Sequence, residues 1–437
     1  MKKSKQLEKS LQMKFHSFLN KTASDFSKPE NRFLREMFFG ILCSSHVHAS
    51  KIGRHIPDKV CLKKTLKRLS YHLHKQDLWL RFLRSYLSHN RDNLSRSDYL
   101  VIDIGDITKQ YASKMEGLYS VHDGSKGGVG KGYWTIGVVG CQANPHKRER
   151  LAIKPLYTEL FSYHTAKEDK YISENKKILR AMDEVELGIS SSAYWVGDRG
   201  FGRRKIIEPC LKKNRHFIFR MDGKLNLWYK GEAHNIRDLS RKVELKLEHR
   251  ILKKQNNRYY WRIFKMGAVA VQWVNEYTKE PEAEKLWLVV AKEKKRGYSW
   301  FLVHSPKQSA AEVIKDVAEG YSARWQIEEV YRHIKTQFHL EEVSYRKYEA
   351  LKNIMAILWI ALTFIYNQVV DLAVDILDSP RYKINHGKLK LADLHRFIYY
   401  KLSRVVQLCF LKIGHLKLYE PIIQNKKCIN LQLELVF

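Results

Sequence analysis

Three acidic residues from distant stretches of the chain, Asp103, Asp198 and Glu328, sit where their carboxylates could work together. Asp103 closes the apolar run Tyr99-Leu-Val-Ile-Asp103, and Asp198 closes Ala193-Tyr-Trp-Val-Gly-Asp198. A strand ending in this way delivers a carboxylate to a sheet edge. Glu328 lies in YSARWQIEEVYRHIK. With Tyr321 as zero and about 100° per helical residue, Arg324 falls near −60°, Glu328 near −20° and Lys335 near −40°. The four polar groups share one narrow stripe, while the neighbouring Glu329 points about 100° away. Two strand-end carboxylates and one helix carboxylate can hold hard cations through oxygen. A pair of such ions clamps the attacking and leaving oxygens of a phosphoryl displacement. The cations and the phenol of the stripe suit the phosphates beside it. A solvated helix face with internal ion pairs would explain the stripe alone, and Asp residues often cap turns after strands. The three sites together favour chemistry. Asp106 is a near alternative to Asp103, which is preferred because it ends the apolar run.

The elements that must position these residues are legible as changes of period. Residues 1–96 read as a helical, basic region: Phe33, Leu34, Met37, Phe38, Ile41 and Leu42 share one helical face, and the basic stretch from Leu62 to Arg68 suits a DNA-binding module, with a helix-turn-helix one form it could take. From 97 to 222 short apolar runs alternate with helices (Tyr133–Val139, then Glu168–Glu186, Arg203–Lys213 and His216–Met221), which indicates a mixed α/β sheet. Residues 223–309 read as an inserted β domain, with Val243, Leu245 and Leu247 alternating as a strand and further strands at Tyr259–Phe264, Val269–Val274 and Leu286–Val290. Residues 310–375 return to helix and carry Glu328. Residues 376–437 form a basic C-terminal region, helical in part, suited to dimerisation.

The balance of 79 Lys and Arg against 46 Asp and Glu gives a net charge of +33 over 437 residues. Charge this positive and this spread out calls for a long polyanion as partner. The six cysteines form no C-x-x-C pair, so neither a zinc site nor a disulfide framework is expected from them. His46 and His48 belong to no metal-ligand pattern in the sequence. The N-terminal MKKSKQLEKSLQMKF lacks the apolar core of a signal peptide. The apolar stretch Ile354–Tyr366 is shorter than the roughly 17–25 residues that span a bilayer, so it reads as a core helix and no membrane role is expected. Lys126-Gly-Gly-Val-Gly-Lys131 has the outline of a phosphate loop. Gly132 stands where Ser or Thr should meet Mg²⁺ and a strand follows, so ATP is not expected as a ligand.

Tyr321, Arg324, Glu328 and Lys335 give Y-x2-R-x3-E-x6-K, which resembles the Y-R-E-K signature of bacterial insertion-sequence DDE transposases. Asp198-Arg-Gly-Phe201 resembles the second-Asp motif of that family, and Asp103 fits its first-Asp position; Gly105 stands where members often carry Thr. The resemblance covers about residues 97–345. It implies an α/β, RNase H-like core interrupted by a β insertion before the Glu helix. It implies Mg²⁺, with Mn²⁺ as a substitute, as two ions held by Asp103, Asp198 and Glu328. Tyr321, Arg324, Lys335 and Arg199 would contact DNA, and Trp300, near the end of the insertion, would stack on a flipped base; a core Trp on a strand is the plain alternative. Further implications are double-stranded DNA partners (terminal inverted repeats and target DNA), a homodimer pairing two transposon ends, cut-and-paste strand transfer with a hairpin route as one form, and a cytoplasmic, nucleoid-associated location. An RNase H-like nuclease without strand transfer and a non-catalytic DNA-binding derivative are the alternatives.

Overall fold

The apolar run Tyr99–Ile102 opens β1 (Tyr99–Thr108), the strand around which the sheet is laid. The computed structural model describes residues 2–413 apart from 57, 124–126, 143–152, 164–172, 256–257, 276, 294–296 and 369–397. β2 (Tyr119–Asp123), β3 (Gly128–Cys141) and β4 (Lys154–Phe161) follow, then β5 (Tyr194–Gly197) and β6 (Phe217–Met221). β3 lies antiparallel to β1 and carries β4, while β1, β5 and β6 are mutually parallel. The order β4-β3-β1-β5-β6 is the RNase H-like arrangement that the resemblance implies. The parallel crossovers are made by α7 (Glu174–Gly188) and α8 (Arg204–Lys212). The part of the expected helix before 173 lies outside the described residues. Gly128–Lys131 opens β3, so the glycine-rich segment turns a hairpin into a strand; Lys126 lies outside the described residues.

The segment 223–309 does not stand apart from this sheet. It contains β7 (Asn226–Tyr229), β8 (Glu232–Asn235), α9 (Ile236–Lys242), β9 (Leu247–Gln255), β10 (Arg258–Val274), β11 (Pro281–Glu293) and β12 (Gly297–His304). β12 pairs with β6 and β11 pairs with β12, so the inserted strands extend the core into one 12-stranded sheet. Two local expectations are corrected. Val243 and Leu245 follow α9 as irregular chain, and the strand begins only at Leu247; the buried Val243 packs from a turn. Tyr259–Phe264 and Val269–Val274 are one continuous strand, because β10 keeps a partner along its whole length.

The N-terminal helices α1 (Lys2–Thr22), α2 (Lys28–Ser44), α3 (Ala49–Gly53), α4 (Leu62–Leu73), α5 (Leu78–His89) and α6 (Arg91–Leu94) bury the apolar face of α2 anticipated from its spacing. After β12 come α10 (Ala310–Ala323), α11 (Trp325–Thr336) and α12 (Tyr348–Thr363), and a last described helix, α13 (Ile398–Ile413). The apolar helix Tyr348–Asn367 is long and apolar enough to cross a membrane, but 83% of its apolar window is buried inside the protein, against β4 and α5. This is the core helix expected from Ile354–Tyr366, extended at its N-terminus.

Glycines let α11 close on the sheet. A Cβ on Gly137 would lie 2.6 Å from the Tyr331 hydroxyl and 2.8 Å from the Trp359 ring; one on Gly105 would lie 3.1 Å from the Tyr331 ring. A side chain at position 105 would thus crowd Tyr331. Gly137→Ala should push α11 off β3 and lower stability by about 1–3 kcal/mol, read as the free energy of urea unfolding.

Candidate active site

The parallel register brings the two aspartates to one level. β1 pairs with β5 only from Tyr99 to Val101, against Tyr194 to Val196. Asp103 and Asp198 each lie two residues beyond that last pair, where the strands have parted. Asp198 leaves the end of β5 as expected, and its Oδ1 accepts the Arg199 backbone N–H at 2.7 Å. Contrary to the expectation from its apolar run, Asp103 does not end its strand. β1 continues to Thr108 because β3 pairs with it throughout, and Asp103 becomes a mid-strand residue at the point where β5 departs.

Glu328 arrives from the helical side. The expected single helix is broken at Arg324, between α10 and α11, yet Arg324 keeps helical angles of φ −54° and ψ −31°, so the polar stripe survives. From this junction Arg324 Nη2 donates to Glu328 Oε1 at 2.5 Å, and Nη1 lies 3.8 Å from Asp103 Oδ2. The Arg324 Nε is buried without a partner. Tyr321, one turn earlier, presents its hydroxyl 3.4 Å from Asp198 Oδ1 and accepts from Arg220 Nη1 at 3.0 Å. Arg220 itself lies 3.8 Å from Asp198. Glu329 turns away and pairs with Arg332, as the helical geometry requires.

Electrostatics tie the three carboxylates into one site. Burial pushes the Asp103 carboxyl up to about 7; Arg324 and the Ile104 N–H oppose that rise, and the charges of Glu328 and Asp198 add to it. Burial also raises the Tyr321 phenol, with Asp198 next in effect. Among the described residues these three carboxylates do not close to within 4.8 Å of one another as a trio. Arg324 lies between Asp103 and Glu328 as their counter-ion. The donor set is oxygen only, and the surroundings of Asp103 only partly offset the cost of charging it. Both features fit a hard divalent cation.

The remaining sequence-derived residues divide. Lys335 does not face the three carboxylates: it pairs with Asp106 at 2.8 Å and Glu341 at 3.2 Å, one to two turns further along α11. Asp106 is held there, and by the Thr108 hydroxyl at 3.0 Å. Arg199 is exposed on the turn after Asp198. Trp300 lies within β12, between Met221 and Val290, with the Arg237 guanidinium 6.0 Å from its ring and its own Nε1 buried without a partner. Two contributors escaped the sequence reading. Arg220 was visible as the one cation in His216-Phe-Ile-Phe-Arg-Met221. Tyr331 donates its hydroxyl to the Asp103 carbonyl at 3.2 Å. Behind the helix, His333 joins Tyr366 and Ser403 of α13, and burial pushes its imidazole down to about 3.

Residues 158–364 match a family model described as a transposase DDE domain; the match contains Asp198 and Glu328 and begins after Asp103. No curated protein matches the chain. Among solved structures, a piggyBac transposase synaptic complex with hairpin DNA is similar over 96% of this chain and 81% of its own, at 7% identity and a TM-score of 0.43, too distant to carry any argument.

If Arg324 is the counter-ion of the metal-free site, Arg324→Ala should destabilise the protein in EDTA by about 1–3 kcal/mol. Millimolar Mn²⁺ should recover part of that loss. Equal thermal midpoints for variant and wild type in EDTA would contradict the assignment.

Proposed function

We propose that the chain is a DDE transposase and that Asp103, Asp198 and Glu328 are the carboxylates with which it cuts transposon ends and joins them to target DNA. The observation that supports this choice is the shared counter-ion: Arg324 reaches Glu328 and Asp103 at once, while Asp198 stands level with Asp103 across the parted strands. Asp106 is already neutralised by Lys335, which favours Asp103 as the first carboxylate. The three would hold Mg²⁺, with Mn²⁺ as a substitute, as two ions per site. Such ions supply activation of the attacking oxygen and stabilisation of the leaving one.

The chain's own groups do the positioning. Arg324 would turn its guanidinium to a backbone phosphate. Arg220 and the Tyr321 hydroxyl would flank the Asp198 side of the cut, and the exposed Arg199 would hold the strand beyond it. Lys335 would fix the end of α11 and reach DNA only by leaving Asp106. Trp300, with an indole N–H left over, would offer a stacking face to a displaced base if cleavage runs through a hairpin. The net charge of +33 supplies affinity for DNA without regard to sequence. Pairing of two transposon ends calls for two copies of the chain, acting on chromosomal DNA in the cytoplasm.

The test uses a labelled transposon end and a target plasmid. Glu328→Gln and Asp103→Asn should abolish cleavage and leave end binding within a few-fold, whereas Asp106→Asn should retain cleavage. Wild-type cleavage by Glu328→Gln would remove it from the site. A wild-type protein that cuts the end without ever joining it to target would be a nuclease.

A further inference from the structure

His46 follows α2, and His339 and Glu342 follow α11, almost three hundred residues later. The fold brings one ligand atom of each within 4.8 Å of the other two. The two segments are already sewn together: the Val47 N–H donates to the Phe338 carbonyl at 3.3 Å, and the Tyr345 hydroxyl donates to the Val47 carbonyl at 2.7 Å. The three side chains therefore project from a fixed junction. His339 has a left-handed backbone, φ 56°, at a helix end where Gly or Asn is the low-strain choice. An ordinary exposed ion pair between His339 Nδ1 and Glu342, 2.6 Å apart, accounts for neither the strained histidine nor the approach of His46.

We propose that His46, His339 and Glu342 form a transition-metal site, of the class that takes Zn²⁺ or Ni²⁺, pinning the turn after α2 to the end of α11. Two imidazoles and one carboxylate are a recurring ligand set for such ions, with the fourth position open to water. One adjustment is required. The two rings lie nearly parallel, 13° apart with centroids at 4.9 Å, and the His48 N–H donates to His46 Nδ1 at 3.0 Å. Rotation of His46 about Cβ–Cγ, a soft torsion, releases that exposed bond and turns a ring nitrogen to the ion. The same helix carries Glu328, so an ion here fixes the far end of α11 against the N-terminal helices without entering the carboxylate site.

The test is titration of the full-length chain with ZnCl₂ by calorimetry, in an Asp103→Asn/Glu328→Gln background that disables the carboxylate site. That background keeps this proposal separate from the assignment of the carboxylates. One saturable Zn²⁺ site is expected. His339→Asn, which tolerates the left-handed backbone, and His46→Ala should each weaken it by roughly tenfold or more. Zn²⁺ should also raise the thermal midpoint of the parent and not of His339→Asn. Absence of saturable binding by the parent, or binding unchanged in both variants, overturns the proposal.

Discussion

Three like-charged carboxylates cannot share a partly buried pocket without a cation among them. In this protein Arg324 serves Asp103 and Glu328, and Arg220 lies beside Asp198. At Asp103 burial, Glu328 and Asp198 all favour the protonated acid, and Arg324 and one backbone N–H oppose them. A guanidinium bridging two carboxylates keeps them near one another while holding them apart. Bound divalent ions would draw the same oxygens inward and leave the guanidinium without its partners.

This arrangement depends on where α11 lies, and the helix is fixed from several sides. Tyr331 reaches over Gly105 and Gly137 to the Asp103 carbonyl. His333, on the far face, meets Tyr366 and Ser403. Beyond the C-terminus of α11, the buried ammonium of Lys109 donates to the carbonyls of Leu340, Glu341 and Val343. These contacts are long-range, and they tie α11 and the segment after it to the sheet on one side and to the C-terminal helices on the other. A helix held in this way presents Glu328 with little freedom.

Much of the site was legible because its signals are local. A helical stripe needs only a period of 3.6, and Tyr321, Arg324 and Glu328 meet at the site despite the break at Arg324. Asp198 ends its strand as its apolar run implies. What failed required pairing information. The length of β1 past Asp103 is set by β3, which a single segment cannot reveal. Lys335 shares the stripe's angle but lies further along the axis, and an angle says nothing of which partner waits there. The region 223–309 carries β7 to β12; its joining to β6 is a matter of edges, and period-2 alternation is silent on edges. His46 looked isolated because His339 is distant in sequence.

The joining at β6 also changes what the insertion does. β12 pairs Phe301 with Arg220, the residue next to Asp198, and the Phe301 ring packs at 4.8 Å beneath Tyr321. The inserted strands therefore build one wall of the site: they seat the aromatic ring that aims the Tyr321 hydroxyl and fix the strand that presents Arg220. A freely tethered β module could not do this, because a shift of β12 by one residue would turn Phe301 away from Tyr321. The core needs the insertion to complete the Asp198 side, just as it needs α11 to complete the Asp103 side. The two meet at Arg324, where α10, reached through β12, hands over to the helix that carries Glu328.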